Sequence, residues 1–132
     1  METVTDRYNG GLKHVLIVEN DERTLHTLEE VVSSEGFNIR TTWSGREALA
    51  LIQSQPFDVV LVDSHLPDIY YGEFLTLARR HSHCIIVMQR SKPLPGSLRR
   101  HKTMGAAAVV DKNDLKHLRQ LLAARHSRSA PA

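Results

Sequence analysis

Short apolar runs alternate with amphipathic segments along most of the chain. Five runs rich in β-branched and other apolar residues predict buried strands, and five segments with apolar residues three and four positions apart predict helices. The predicted strands are 14–18, 37–42, 57–62, 84–88 and 106–110. The predicted helices are 21–35, a segment capped by Ser44, 73–80, 94–102 and 114–125.

This strict alternation of strand and helix indicates the fold class. Continuous apolar strands are typical of a sheet that is covered on both faces, and the helices between them supply parallel crossover connections. Right-handed crossovers leave few ways of arranging such units. The sequence therefore predicts an α/β fold with a doubly wound, five-stranded parallel sheet in the order 2-1-3-4-5.

The predicted elements lie within one domain, residues 13–125. Residues 1–12 are expected to be a flexible lead and residues 126–132 a flexible tail. No apolar run approaches the ~18 residues of a membrane span. The polar start lacks the apolar segment of a secretory signal, and the single cysteine fits a reducing cytoplasm. A formal charge of +2 is too small to indicate direct nucleic-acid binding.

Acidic and amide side chains follow two of the predicted strands. Glu19, Asn20 and Asp21 come after the first strand, and Asp63 follows the third. In a doubly wound sheet, sites form beyond the carboxyl ends of the strands where the strand order reverses, and these two strands flank that point. Crowded carboxylates call for a counter-cation, and hard oxygen ligands suit Mg²⁺.

A lysine completes the candidate site. The fifth strand ends near Lys112, whose long stem can bring an ammonium group to the same edge of the sheet. A carboxylate nucleophile, a divalent cation and a lysine are the parts needed to take up a phosphoryl group. A single aspartate after a strand is usually a loop residue or a helix cap. The combination with Glu19 and Lys112 favours a phosphoacceptor role for Asp63.

Four motifs, in order, resemble the response regulator receiver domains of two-component systems. They are the strand and acidic segment at 14–22, the helix start at 44–49, the strand ending in Asp63 with Pro67 four residues later, and the strand at 105–112 that ends in lysine. The resemblance covers residues 13–125 and implies the flavodoxin-like (βα)5 receiver fold. It also implies a signalling domain rather than an enzyme.

The resemblance assigns roles to particular residues. Asp63 would accept a phosphoryl group from a histidine kinase or a phosphotransfer protein, and Lys112 would contact its oxygens. Mg²⁺ would be held by Glu19, Asn20, Asp63 and the backbone carbonyl of His65. A downstream protein partner would bind the face formed by helices 4 and 5, and a homodimer is a further expectation.

The sequence departs from the family pattern at four positions. Asn20 stands where the ligating aspartate is expected, so Mg²⁺ should bind more weakly unless Asp21 replaces it. Gln89 occupies the position after strand four of the hydroxyl residue that contacts the phosphoryl group, and its longer amide side chain is the candidate for that contact. Val109 occupies the position of the aromatic switch residue. Gly72 lies one residue further from Asp63 than usual, which indicates an insertion in the intervening loop.

Three alternatives to a phosphorylated switch remain open at this point. A degenerate receiver would bind its partner whether or not Asp63 is modified. An aspartate-nucleophile phosphatase needs a second acid two residues after the nucleophile, where this chain has His65. A flavin-binding protein of the same topology would need a phosphate-cradling loop after the first strand, where the acidic segment would repel a phosphate.

Overall fold

A computed structural model describes the backbone of residues 13–90 and 92–129. Strands and helices alternate through this range. The strands are β1 (His14–Val18), β2 (Asn38–Thr42), β3 (Val59–Asp63), β4 (Ile85–Gln89) and β5 (Ala108–Asp111). The helices are α1 (Glu22–Ser34), α2 (Gly45–Ser54), α3 (Tyr71–Ala78), α4 (Ser97–Met104) and α5 (Leu115–Ser129). The lead predicted at 1–12 lies outside the described residues.

The five strands form one parallel sheet in the order β2-β1-β3-β4-β5, which confirms the predicted class and strand order. The register aligns Val18 with Val62 across β1 and β3, and Asp63 with Met88 across β3 and β4. Because the strands run the same way, their carboxyl ends meet at one edge. Asp63 itself is the last residue of β3.

Side chains alternate between two hydrophobic cores, one on each face of the sheet. Val15 and Ile17 point into the core closed by α1 and α5, whereas Leu16 and Val18 point into the core closed by α2, α3 and α4. All five residues of β3 are buried, as the most apolar predicted strand should be. This packing holds the carboxyl edge of the sheet in place from both sides.

Side-chain caps begin the first two helices close to the predicted positions. Asp21 accepts a hydrogen bond from Thr24 N at 3.0 Å, and Ser44 accepts one from Glu47 N at 3.0 Å. Ser44 and Glu47 have the spacing of a capping box, but only the Ser44 half of it forms, because the Glu47 carboxylate accepts a hydrogen bond from the Thr42 hydroxyl instead. Ser44 N also donates to that hydroxyl, at 3.2 Å.

Several predicted boundaries later in the chain were wrong by a few residues. Helix α3 begins at Tyr71 rather than 73, because the apolar pattern does not reveal that the loop after Asp63 ends there. Helix α4 begins at Ser97 rather than 94, after Gly96 in the left-handed conformation with φ +83°. Helix α5 continues to Ser129, beyond the boundary predicted at 125. The flexibility of the tail stays a prediction.

None of the helices in the described part of the chain is long and apolar enough to cross a membrane.

Candidate functional site

Three strand ends bring Glu19, Asp63 and Lys112 together at the carboxyl edge of the sheet. The Lys112 Nζ lies 3.2 Å from Asp63 Oδ1, 3.1 Å from Glu19 Oε1 and 3.2 Å from Glu19 Oε2. Glu19 follows β1, Asp63 ends β3 and Lys112 follows β5, so 93 residues of sequence separate Glu19 from Lys112. The ammonium group therefore bridges two carboxylates at the edge where the sequence placed all three residues.

All three side chains are nearly inaccessible to solvent. Glu19 is 1% exposed, Asp63 is 4% exposed, and the side chain of Lys112 is 7% exposed. Burial raises the pKa of the Glu19 carboxyl, and the neighbouring Asp63 carboxylate raises it further. The Lys112 ammonium acts in the opposite direction without cancelling the rise. The lysine is thus the cation that makes two adjacent buried carboxylates tolerable.

Backbone hydrogen bonds hold this cluster in place. Glu19 N donates to Thr42 O at 3.0 Å, and Lys112 N donates to Gln89 O at 2.6 Å. His65 N donates to Asp63 Oδ1 at 3.0 Å, so the loop after β3 curls over the carboxylate. The His65 ring is exposed and lies 3.1 Å from the Ser64 hydroxyl. The geometry leaves the Asp63 carboxylate fixed, buried and approached by two donors.

The two remaining residues of the acidic segment do not join the ion-paired cluster. Asn20 is exposed. The Asp21 carboxylate caps α1, accepting from both Thr24 N and the Thr24 hydroxyl at 3.0 and 2.6 Å, and these bonds lower its pKa. Its backbone N–H donates to Glu19 Oε2 at 3.2 Å. On the sequence alone, Asp21 could turn inward to replace the missing aspartate. In the structure its carboxylate caps α1 instead.

Strands β4 and β5 supply the residues at the unusual positions. Gln89 is the half-buried last residue of β4 and pairs with Asp111 across the sheet. Val109 is buried in the core shared with α2, α3 and α4. Arg90 is exposed, and its charge contributes to the lowered pKa of Asp21. The role predicted for Gln89 in contacting a phosphoryl group stays a prediction.

The donor set at this edge fits a hard divalent cation. Glu19 Oε1 is buried without a hydrogen-bond partner, although the lysine ammonium lies nearby, so it has capacity for a further ligand interaction. Glu19 and Asp63 supply carboxylate oxygens at this edge, and Mg²⁺ prefers oxygen ligands. No group of three His, Cys, Asp or Glu side chains with metal-binding geometry occurs among residues 13–90 and 92–129. The remaining ligands must therefore come from Asn20, backbone or water.

The carboxylate of Asp68, which the sequence interpretation missed, ties the loop after Asp63 to helix α2. Asp68 accepts hydrogen bonds from the Ser44 hydroxyl at 2.8 Å, Gly45 N at 2.9 Å and Arg46 N at 3.0 Å. Burial would raise the pKa of Asp68, but these bonds outweigh it and hold the pKa below its ordinary value. The only sequence signal for this contact was that Asp68 is acidic, because a carboxylate is favoured near a helix N-terminus such as that of α2.

Gly45 allows this contact to be close. A Cβ at this position would lie 2.4 Å from Ile69 Cγ2 and 3.0 Å from Leu66 Cδ1. Loop 64–70 therefore packs directly on the first turn of α2. The sequence showed a helix start at Ser44 but not the distant segment that packs on it.

A buried hydrogen-bond chain joins α3 to α4, and the sequence interpretation also missed it. Tyr71 Oη lies 2.8 Å from His101 Nε2, and His101 Nδ1 lies 2.7 Å from Ser97 O. His101 is 5% exposed, and its ring stacks on Tyr71 with a centroid distance of 5.4 Å. Because a carbonyl can only accept, Nδ1 is the donor there, which leaves Nε2 of the neutral ring to accept from Tyr71.

The sequence matches a family model over most of its length. Residues 15–123 match the response regulator receiver domain. A segment of 55 residues is 42% identical to the cell cycle transcriptional regulator CtrA of Caulobacter vibrioides, covering 42% of this chain and 24% of that protein. The chain spans about a quarter of the length of the curated relatives it matches.

Solved receiver domains share the fold. The Francisella response regulator 1452 receiver domain superposes with a TM-score of 0.79 at 17% identity, over 89% of this chain and 99% of that one. The receiver domain of the sensor histidine kinase PA1611 from Pseudomonas aeruginosa PAO1, with magnesium coordinated in its active site cleft, gives 0.74 at 20% identity. That match covers 88% of this chain and 98% of the other. At these identities the likeness is one of fold.

Proposed function

Since the chain belongs to the response regulator receiver domain family, we propose that Asp63 accepts a phosphoryl group and thereby switches a protein interaction. The observation that carries the proposal is the Lys112 ammonium lying within 3.2 Å of both Asp63 and the buried Glu19. These groups provide a nucleophilic carboxylate and a fixed positive charge beside it. Phosphoryl transfer depends mainly on positioning and on such charge stabilisation.

The transfer balances with a phosphohistidine as donor. A carboxylate oxygen of Asp63 forms a bond to phosphorus while the N–P bond to the donor imidazole breaks, and that imidazole keeps the electron pair and takes up a proton. Lys112 neutralises charge on the phosphoryl oxygens. His65 N, which donates to Asp63 Oδ1 at 3.0 Å, orients the carboxylate. The donor is a histidine kinase or a phosphotransfer protein.

Glu19, Asn20, Asp63 and the His65 carbonyl would hold Mg²⁺. The ion would supply charge neutralisation for the incoming phosphoryl group. Asn20 brings an oxygen without a charge, so we expect affinity for the ion to be lower than an aspartate would give. Glu19 Oε1, which is ion-paired with Lys112 but accepts no hydrogen bond, is the oxygen that most directly supports this assignment.

The function proposed is that of a cytoplasmic signalling domain rather than an enzyme with a released product. The phosphoryl group would remain on the buried Asp63, whose loop 64–70 packs on α2 and leads directly into α3. A change at Asp63 is therefore positioned to alter a surface that a partner protein recognises.

Beryllofluoride, a phosphoryl mimic, tests this assignment. With Mg²⁺ present, we expect its titration to shift amide resonances at the carboxyl ends of β1, β3 and β5. Asp63→Asn should abolish the response. Asp58→Asn is the matched control, because Asp58 precedes the opposite end of β3 and bonds His14 N at 2.7 Å. A wild-type protein that shows no shift at millimolar Mg²⁺, or a response that survives Asp63→Asn, would refute the proposal.

One observation favours a second candidate, a receiver that works without phosphorylation. The Lys112 ammonium already forms ion pairs with both Glu19 and Asp63 and offsets part of their charge, and Asn20 adds none, so the cluster is held as an ion-paired unit. On this alternative, partner binding persists in Asp63→Ala and is unaffected by beryllofluoride. Loss of partner binding in Asp63→Ala, with the fold retained, would rule it out.

A further inference from the structure

Charge is distributed very unevenly along the chain. Residues 74–110 contain seven arginines and lysines and no aspartate or glutamate. The remaining ten basic and fifteen acidic residues give the rest of the chain a formal charge of −5. The net charge of +2 thus conceals two regions of opposite sign. A long segment without any carboxylate needs an explanation other than general solubility.

The fold gathers five of these cations on the outside of α3 and α4. Arg79 and Arg80 follow α3, and Arg99, Arg100 and Lys102 lie on α4; all five are exposed. Arg79 Nη1 donates to Thr103 O at 3.0 Å, which places the end of α3 against the last turn of α4. We call these five residues the α3–α4 basic surface.

The α3–α4 basic surface is not neutralised within the described chain. No carboxylate among residues 13–90 and 92–129 forms an ion pair with any of its five cations, whereas other cations do form such pairs. Arg119 of α5, for example, bonds Glu35 at 3.2 Å and the Ser34 hydroxyl at 2.8 Å. Arg119 therefore lies against the end of α1 and adds no charge to the α3–α4 basic surface.

Apolar side chains accompany this charge. Leu98 is 43% exposed and Leu94 is 71% exposed, in and just before α4. An open cavity of about 580 Å³ is lined by Gly96, Leu98, Arg99, Lys102 and Thr103. Interfaces between proteins combine an apolar centre with a charged surround. An amphipathic acidic segment would complement both the exposed leucines and the surrounding cations.

We propose that the α3–α4 basic surface binds an acidic protein segment that places an apolar side chain beside Leu98. A second copy of this chain docked face to face would bring five cations against five cations. A nucleic acid is less well matched, because residues 75–110 contain no Phe, Tyr or Trp on which bases could stack. The proposal is independent of phosphorylation at Asp63.

The test uses three labelled probes whose binding is followed by fluorescence anisotropy. The first is a helical peptide in which glutamates flank leucines at positions three and four apart. The second has the same charge with serine in place of leucine, and the third is a short duplex DNA. We expect the leucine peptide to bind at least fivefold more tightly than the serine peptide and more tightly than the DNA.

Two matched variants locate the binding surface. Lys102→Glu and Lys116→Glu each reverse one exposed lysine, on α4 and α5 respectively. We expect the first to weaken the leucine peptide at least fivefold and the second less than twofold. Leu98→Ser should remove the advantage of leucine over serine. Equal effects of the two lysine variants, tighter binding of the DNA, or self-association of the protein in light scattering would each overturn the proposal.

Discussion

At the scale of single residues, the position of Lys112 determines what Glu19 and Asp63 can do. Burial raises the pKa of the Glu19 carboxyl, and repulsion by the adjacent buried Asp63 carboxylate raises it further. The ammonium 3.1 to 3.2 Å from both supplies the compensating charge. The cluster is therefore sensitive above all to the loss of Lys112.

Lys112→Ala should destabilise the protein by about 3 kcal/mol at neutral pH, because it leaves buried carboxylates without their cation. Urea denaturation measures the change. The loss should shrink as pH falls, since the raised pKa of Glu19 means that this carboxyl takes up a proton first and the repulsion disappears. Lys116→Ala, an exposed lysine of α5, should stay within about 0.5 kcal/mol of wild type. Similar effects of the two variants would contradict this account of Lys112.

Asp68→Ala should cost about 1 kcal/mol at pH 7, because the first turn of α2 loses three hydrogen bonds from one carboxylate. The pKa of Asp68 is lower in the folded protein than in the unfolded chain. Its contribution is therefore complete above the unfolded pKa of about 4 and is lost as pH falls through the lower folded value. Thermal melts of both proteins between pH 7 and pH 2.5 should converge at the acid end. A constant difference would exclude an ionised Asp68 as the source.

The sequence was sufficient to predict that Glu19, Asp63 and Lys112 lie close together, because the strand ends of a parallel sheet must share an edge. It was not sufficient for Asn20 and Asp21, whose orientation depends on the first turn of α1 rather than on the sheet. Asp68 was missed for a similar reason: its three partners lie more than twenty residues away in sequence.

At the scale of helices and strands, the contacts of α3 and α4 distinguish this chain from the pattern it resembles. The aromatic switch position holds Val109, which is buried and apolar. Tyr71, from the first turn of α3, instead reaches His101 in α4. Tyr71 follows directly from loop 64–70, so this hydrogen bond links the segment after Asp63 to α4.

Tyr71→Phe should lower the free energy of unfolding by about 1 to 2 kcal/mol, since the buried His101 Nε2 loses its partner while the ring contact remains. Urea denaturation gives the magnitude, and histidine ring resonances report the changed environment of His101. Tyr70→Phe is the matched control, because the Tyr70 side chain is exposed and forms no capping bond. A Tyr71 variant as stable as the control would show that the hydrogen bond contributes nothing net.

Helix and strand boundaries were predicted best where local signals were strong. Asp21 and Ser44 mark their helix starts by capping, and the apolar run of β1 has abrupt polar neighbours. Helix α4 was misplaced because its start depends on Gly96 adopting a positive φ, and proline residues on both sides of Leu94 disguise that position. The start of α3 depends on the length of the loop that packs on α2, which periodicity does not encode.

At the scale of the whole molecule, the alternation of strands and helices along the chain determines the fold, but it does not determine how charge is distributed over the surface. Five apolar strands with helices between them admit few topologies, and the predicted order of the sheet is confirmed. The sequence already contains the basic segment 74–110 beneath its small net charge, but only the fold shows which of these cations share a surface. Hydrophobic cores on both faces of the sheet hold its carboxyl edge in place, so this edge can accommodate the buried cluster of Glu19, Asp63 and Lys112.

The central claim is that Asp63 is a phosphoacceptor, and covalent labelling tests it most directly. Wild-type protein, Asp63→Asn and Asp58→Asn are incubated with acetyl phosphate, with and without Mg²⁺, and weighed by intact-protein mass spectrometry. We expect wild type and Asp58→Asn to gain one phosphoryl group in a reaction that requires Mg²⁺, and Asp63→Asn to gain none. Unmodified wild-type protein at saturating donor, or equal modification of Asp63→Asn, would contradict the claim.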